Sequence, residues 1–245
     1  MALIVACLFS CHQKKTNKLI IATAANMQFA MIELTETFSK KTGIECETIL
    51  GSSGKLTAQI VAGAPYDIFV SADMKYPEEL YQQGLTRKKP EAFATGRLVL
   101  WTMENESPDL TRSLREETLS HIAIANPKTA PYGRAAMETL EALGLTGQAE
   151  SKLVYGESIA QTNQFITSQA AQIGFTAKSV VLAPGLRDKG SWIDIPPDYH
   201  SPLLQGIVTL KNNTGQQSGA NEFYEFLFSA EAKEILNKFG YSSIQ

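Results

Sequence analysis

The sequence predicts an α/β fold of two lobes, and three observations predict it. Short apolar runs of β character alternate with helical stretches, the loops between them are short and rich in Gly, Ser and Pro, and 245 residues exceed one minimal domain. Such alternation implies parallel strands joined by crossover helices, because a parallel pair needs a connection long enough to return to the same sheet edge.

The first run is a strand at 19–22 (LIIA), followed by Thr23-Ala24-Ala25-Asn26 and a helix over about 28–41. Phe29, Ile32 and Phe38 supply that helix with an apolar face, and Gly43 stops it. The unit then repeats. A strand near 48–50 runs into Gly51-Ser52-Ser53-Gly54 and a helix over about 55–61, closed by Gly63-Ala64-Pro65, and a third strand follows at 67–70. A strand at 97–101 opens a second series: strand 121–125, helix 134–143, strand 153–155, helix 159–168 and strand 173–176. That series reads as the second lobe. Pro196-Pro197 and Pro202 punctuate the chain before a strand at 204–210, and two helical pieces around 221–228 and 231–239 end it. No repeat of fixed period and no low-complexity tract interrupts the body.

Hydrophobic residues at 44% and charged residues at 19% place the body among ordinary globular proteins and exclude a disordered or fibrous class. A net charge of -3 supplies no basic field for a nucleic acid or an anionic membrane, so an anionic ligand has to be held by local groups.

Residues 1–10 (MALIVACLFS) are almost wholly apolar, and a polar tether follows Cys11. The run is shorter than the roughly 20 apolar residues a membrane span requires, which points to an export signal. Leu8-Phe9-Ser10-Cys11 resembles a bacterial lipobox, with Cys11 the lipidated residue; Ile4-Val5-Ala6-Cys7 fits the pattern less well. No Lys or Arg stands near Met1, a departure from the usual signal. Two of the three cysteines lie in this leader, so Cys46 has no intramolecular disulfide partner in the body. In the alternating run 45–50 it reads as a small core hydrophobe.

Gly51-Ser52-Ser53-Gly54-Lys55 is the most informative segment. A Gly/Ser turn between a strand and a helix presents free N–H groups and hydroxyls at the positive end of the helix dipole, which makes an anion cradle. Simple capping by Ser52 or Ser53 explains the local pattern equally well. A P-loop does not fit, since that motif requires Gly at Ile49 and Ser or Thr at Leu56. Asn26 holds the equivalent place after the first strand and alone reads as a helix cap. Tyr132, in Pro131-Tyr132-Gly133-Arg134, alone reads as a packing residue. Enzymatic constellations are weak: no G-x-S-x-G, H-E-x-x-H or C-x-x-C occurs, and His12, His121 and His200 are remote from one another.

Taken together, 24–31 (AANMQFAM), 51–80 (GSSGKLTAQIVAGAPYDIFVSADMKYPEEL), 96–101 (GRLVLW) and 125–140 (ANPKTAPYGRAAMETL) closely resemble the molybdate-binding proteins of ABC transporters. The likeness continues through GESIAQ at 156–161 and IGFTA at 173–177 to the C-terminal helices. It implies the type II periplasmic-binding-protein fold, two α/β lobes with mostly parallel sheets joined by two crossovers. On that pattern residues 18–96 and 205–245 form lobe I, 97–204 form lobe II, and 1–17 are signal and tether. It also implies a non-enzymatic, monomeric receptor at the periplasmic or cell surface, lipid-anchored through Cys11, that serves a membrane permease and carries no cofactor.

The resemblance places the oxyanion ligands, for molybdate or tungstate, on Ala25, Asn26, Ser53, Tyr132 and Ile159, the last through its backbone N–H. Two positions depart from the family. Ala177 stands where some relatives have Tyr, which shifts weight to Asn26, and Gly54 stands where some have Ser, which shifts it to backbone contacts. Uncharged donors suffice because several charge-assisted hydrogen bonds, each worth about 1.5–3 kcal/mol, together offset desolvation of the dianion. A lining made only of donors is expected to reject a protonated oxyanion such as monohydrogen phosphate. Lys55 and Arg134 are expected at the cleft rim, solvated. The alternatives are a receptor of the same fold for sulfate, phosphate or a small organic acid, and a secreted ester hydrolase.

Overall fold

A computed structural model of the chain describes residues 18–104, 109–211 and 215–244. The segment expected to direct export, with Cys7 and Cys11, lies outside them.

Strand β1 (Leu19–Ala24) passes through a 3-10 turn (Ala25–Met27) into α1 (Gln28–Thr42). The helix buries Ala30, Met31, Leu34 and Phe38, whereas Ile32 is 54% exposed. The apolar stripe is therefore carried by Met27, Met31, Leu34 and Phe38, at helical spacing, and not by Ile32. The helix stops at Gly43, whose φ of 74° is a left-handed conformation that a side chain disfavours. There follow β2 (Cys46–Gly51), α2 (Ser53–Val61), β3 (Ile68–Ser71), α3 (Lys75–Gln82) and β4 (Glu91–Thr95). Sequence periodicity missed α3 and β4. Pro77 interrupts the helical pattern of α3 but sits in its first turn, where no N–H is needed.

The chain then enters a second sheet through β5 (Leu98–Thr102) and continues as α4 (Leu110–Ser113), β6 (Ile122–Ala125), α5 (Pro131–Ala142), α6 (Thr146–Ala149) and β7 (Leu153–Gly156). After these come α7 (Ile159–Thr167), β8 (Ile173–Ala177), α8 (Lys178–Val181) and β9 (Ser191–Asp194). It returns as β10 (Leu204–Thr209), α9 (Gln217–Leu227) and α10 (Ala230–Lys238).

The strand orders are β2-β1-β3-β10-β4 and β7-β6-β8-β5-β9. In the first sheet β1 pairs in parallel with β2 and β3, and β10 pairs antiparallel with β3 and β4. The second repeats the scheme, with β6 parallel to β7 and β8 and β5 antiparallel to β8 and β9. In each sheet the reversed strand, β10 or β5, is the one that arrives directly from the other sheet. The two passages, Gly96-Arg97 and 195–203, thus lead into the interior of each sheet.

One cluster of apolar residues fills the second sheet's lobe, including Trp101, Ile124, Tyr132 and Phe175. The first sheet is covered on both faces. Ile21, Val70 and Ile207 pack with Phe38 and Phe223 on one side, while Ala22, Phe69 and Val208 pack with Leu56 and Leu80 on the other. That split follows the strand period of two. Phe38 and Phe223 meet edge to face at 5.1 Å. Cys46 is half-buried at the edge strand β2 and packs against the first of these clusters.

Candidate oxyanion site between the sheets

The parallel strands of both sheets end facing one another. Beyond their carboxyl ends lies a small, nearly closed space, lined by Ala24–Asn26, Gly51–Ser53 and Ala72 from one sheet and by Ala130–Tyr132 and Ile159 from the other. This is where open α/β sheets commonly hold ligands. Four chain segments meet there at helix starts: the 3-10 turn at Ala25, α2 at Ser53, α5 at Pro131 and α7 at Ile159. The first N–H groups of a helix have no intrahelical acceptor, and the dipole makes that end positive. All five residues expected from the resemblance line this space, and each is at most 4% exposed.

The side chains divide into those already bonded and those free to bond. Gln205 Nε2 donates to Leu203 O at 2.8 Å and to Ala72 O at 3.3 Å, so its Oε1 must accept. The acceptor's donor is Asn26 Nδ2, at 2.8 Å, and the same amide group donates to the Tyr241 hydroxyl at 3.0 Å. Both N–H groups of the Asn26 side chain are thereby engaged away from a ligand, and its Oδ1 has no donor among the described residues. Ser179, from α8, and Tyr241 also donate to the Asn26 carbonyl, at 2.7 and 2.9 Å. The 3-10 turn is tied from three directions. A buried acceptor at Asn26 Oδ1 is also a departure from a lining made only of donors.

Tyr132 runs beside that knot. Its hydroxyl has no partner among the described residues, and a side chain at Gly96 would strike it. Burial pushes its pKa well above the usual tyrosine value, with nearby Tyr241 adding to the rise and the Asn26 amide opposing it. The group therefore stays protonated. Ser53 Oγ accepts from Ala72 N–H at 3.0 Å, which fixes the oxygen and leaves its proton to donate. Ser52, for which the sequence left anion cradle and helix cap equally open, makes no side-chain cap bond, and its hydroxyl is buried without a partner among the described residues. Its signal in the sequence was its place beside Ser53 at a strand-to-helix turn.

Charged residues close the rim and do not enter the space. Lys55 pairs with Glu157 and Arg134 with Asp73, each across the two sheets' lobes. Lys55 is half-exposed, as expected of a rim residue, but both cations carry partners. Burial raises the Asp73 pKa and the Arg134 guanidinium opposes that rise. The Gly54 N–H, expected to favour the ligand, donates to Thr129 O at 2.8 Å and so joins the two lobes. Ala177 is buried at the end of β8. Among the described residues no group of three or more His, Cys, Asp or Glu is arranged to hold a metal ion.

A family model described as a bacterial extracellular solute-binding protein matches residues 19–242. The chain is 36% identical over 225 residues to the molybdate-binding protein ModA of Rhodobacter capsulatus, covering 91% of this chain and 88% of that one. It is 29% identical over 237 residues to the putative ABC transporter substrate-binding lipoprotein YvgL of Bacillus subtilis strain 168, covering 96% and 90%. Among solved structures, the periplasmic molybdate-binding protein of Azotobacter vinelandii superposes with a TM-score of 0.88 at 34% identity, covering 93% of this chain and all of that one.

Proposed function

The chain belongs to the bacterial extracellular solute-binding proteins, and from that premise we propose that it is a receptor for molybdate, or its heavier congener tungstate. The anion is held between the lobes and delivered to the permease of an ABC transporter. One observation carries this reading: helix starts from two separate sheets converge on one small buried space whose unpartnered side-chain groups are uncharged, the Ser52 and Tyr132 hydroxyls beside a single acceptor, Asn26 Oδ1.

Within that space the backbone N–H groups of Ala25 and Asn26, of Ser53, of Tyr132 and of Ile159 face the dianion, joined by the Ser53 hydroxyl. Asn26 serves through its backbone, since its side-chain donors hold Gln205 and Tyr241. No counter-charge touches the ligand. Charge-assisted hydrogen bonds from fixed dipoles replace its water shell, and the donors are held rigid by their helices before it arrives. Because the donors come from both lobes, the anion stabilises the state in which the lobes meet, and a permease can read that state. The receptor is a monomer outside the cytoplasm, tethered to the membrane through lipid on Cys11; the likeness to a lipoprotein relative supports the tether.

A thermal-shift panel with molybdate, tungstate, sulfate and phosphate tests the assignment. An anion at 100 times its Kd adds about 2.7 kcal/mol of stability, so molybdate or tungstate raises the melting temperature by several degrees. If neither does, the assignment falls; a shift with sulfate alone makes the chain a sulfate receptor of the same fold.

A further inference from the structure

We propose that the Ser52 hydroxyl is an additional donor to the bound oxyanion, adjacent to Ser53 and independent of helix capping; this rests on the receptor reading above. Ser52 stands at the N-cap of α2 with φ -72° and ψ 149°, the extended geometry in which a serine side chain usually accepts an N–H from the first turn. It does not do so. The N–H two residues on, of Gly54, is taken by Thr129 O of the opposite lobe at 2.8 Å. The backbone carbonyl of Ser52 still starts the helix, accepting from Leu56 N at 3.0 Å. The side chain is left over.

That side chain is 3% exposed, lines the same space as Ser53 and Ile159, and has no hydrogen-bond partner among the described residues. A buried hydroxyl without a partner is unfavourable in the protein alone, and an oxyanion in the space supplies the acceptor it lacks. Ser53 differs in kind: its oxygen holds the Ala72 N–H at 3.0 Å, so it does structural work before any ligand arrives. The two neighbouring serines therefore separate. Ser52 contributes to binding alone, whereas Ser53 contributes to binding and to the fold.

The experiment measures molybdate and tungstate binding by calorimetry, and melting without anion, for the wild type, Ser52→Ala and Ser53→Ala. Ser52→Ala is expected to bind about 10- to 100-fold more weakly, the range for one charge-assisted hydrogen bond, and to melt at or above the wild-type temperature. Ser53→Ala is expected to lose affinity and to melt lower, because the Ala72 N–H loses its acceptor. Ser52→Ala binding within twofold of wild type overturns the proposal, as does a lowered melting temperature with unchanged affinity, which is the signature of a cap. Should Ser52→Ala fail to fold, Ser52→Gly removes the same hydroxyl while keeping a favourable N-cap. A wild type that binds neither anion refutes the receptor reading itself, a result distinct from a wild type that binds while Ser52→Ala binds equally well.

Discussion

Asn26 donates its side-chain amide to Gln205 Oε1 at 2.8 Å across 179 positions of sequence, and the bond decides which part of Asn26 faces the cleft. Gln205 is itself oriented by the carbonyls of Ala72 and Leu203. The amide of Asn26 is thereby an anchor for the 3-10 turn, and the turn presents backbone to the ligand.

Replacing Gln205 with Ala leaves the Asn26 amide and two backbone carbonyls short of a partner in a buried setting. The expected loss is about 2–4 kcal/mol, which lowers the melting temperature by roughly 5–15 °C for a chain of this size. Gln205→Glu is expected to be no better, since a carboxylate cannot donate to Ala72 O or Leu203 O. A melting curve within 2 °C of wild type for either variant contradicts this account of the network.

Gly54 binds one lobe to the other through its N–H, which donates to Thr129 O at 2.8 Å. A Cβ there would lie 2.7 Å from the Tyr76 hydroxyl and 3.0 Å from the backbone of Thr129. Gly54→Ala is expected to weaken anion binding about tenfold or more, on the scale of 1–3 kcal/mol for overpacking, while the melting temperature without anion changes little. Titration calorimetry reads the first quantity and differential scanning the second. Unchanged affinity shows that the lobes need not meet this closely.

The Lys55–Glu157 pair spans the lobes at the surface, with both side chains about half-exposed. Such pairs are worth about 0–1 kcal/mol. Lys55→Ala and Glu157→Ala are each expected to change affinity less than about fivefold, with the remaining difference diminishing as salt rises. A loss of hundreds of times for Lys55→Ala makes that lysine a direct anion contact and refutes a site built from neutral donors.

Burial pushes the Cys46 thiol up from 9.0 to about 11, against a smaller opposing effect of Ser39. At pH 8 its thiolate fraction falls about 100-fold below that of an ordinary thiol, so alkylation by iodoacetamide is expected to be slower by a similar factor in the native protein than after unfolding. The folded state holds this proton more tightly. Its contribution to stability is complete below pH 9 and is lost as the pH rises through about 11. Fast native alkylation at pH 8 contradicts the burial.

Much of the architecture was legible because it is local. The strands at β1, β5 and β8 are short apolar runs, and α1, α2, α7 and α10 carry helical periodicity with Gly stops or N-caps, so each could be read within a few residues. The elements missed have weaker local signals. β4 is Glu91-Ala-Phe-Ala-Thr, with one large apolar residue, and α4, α6 and α8 are each a single turn. The phase of α1 was misread at Ile32 because Met27 and Met31, not the isoleucine, complete the stripe that meets Phe223 and Leu227.

The sequence by itself determined where free donors exist: a Gly/Ser turn before a helix, an Asn after a strand and a Pro-Tyr-Gly helix start guarantee N–H groups without local acceptors. Only the tertiary structure decided what each donor does. The Gly54 N–H found Thr129, 75 residues on, and the Asn26 amide found Gln205 and Tyr241, while the Ser52 hydroxyl has no partner among the described residues. The physical reason is that a hydrogen bond is short and directional. A donor's supply follows from local chemistry, but its acceptor is whatever distant group the packed sheets bring within about 3 Å.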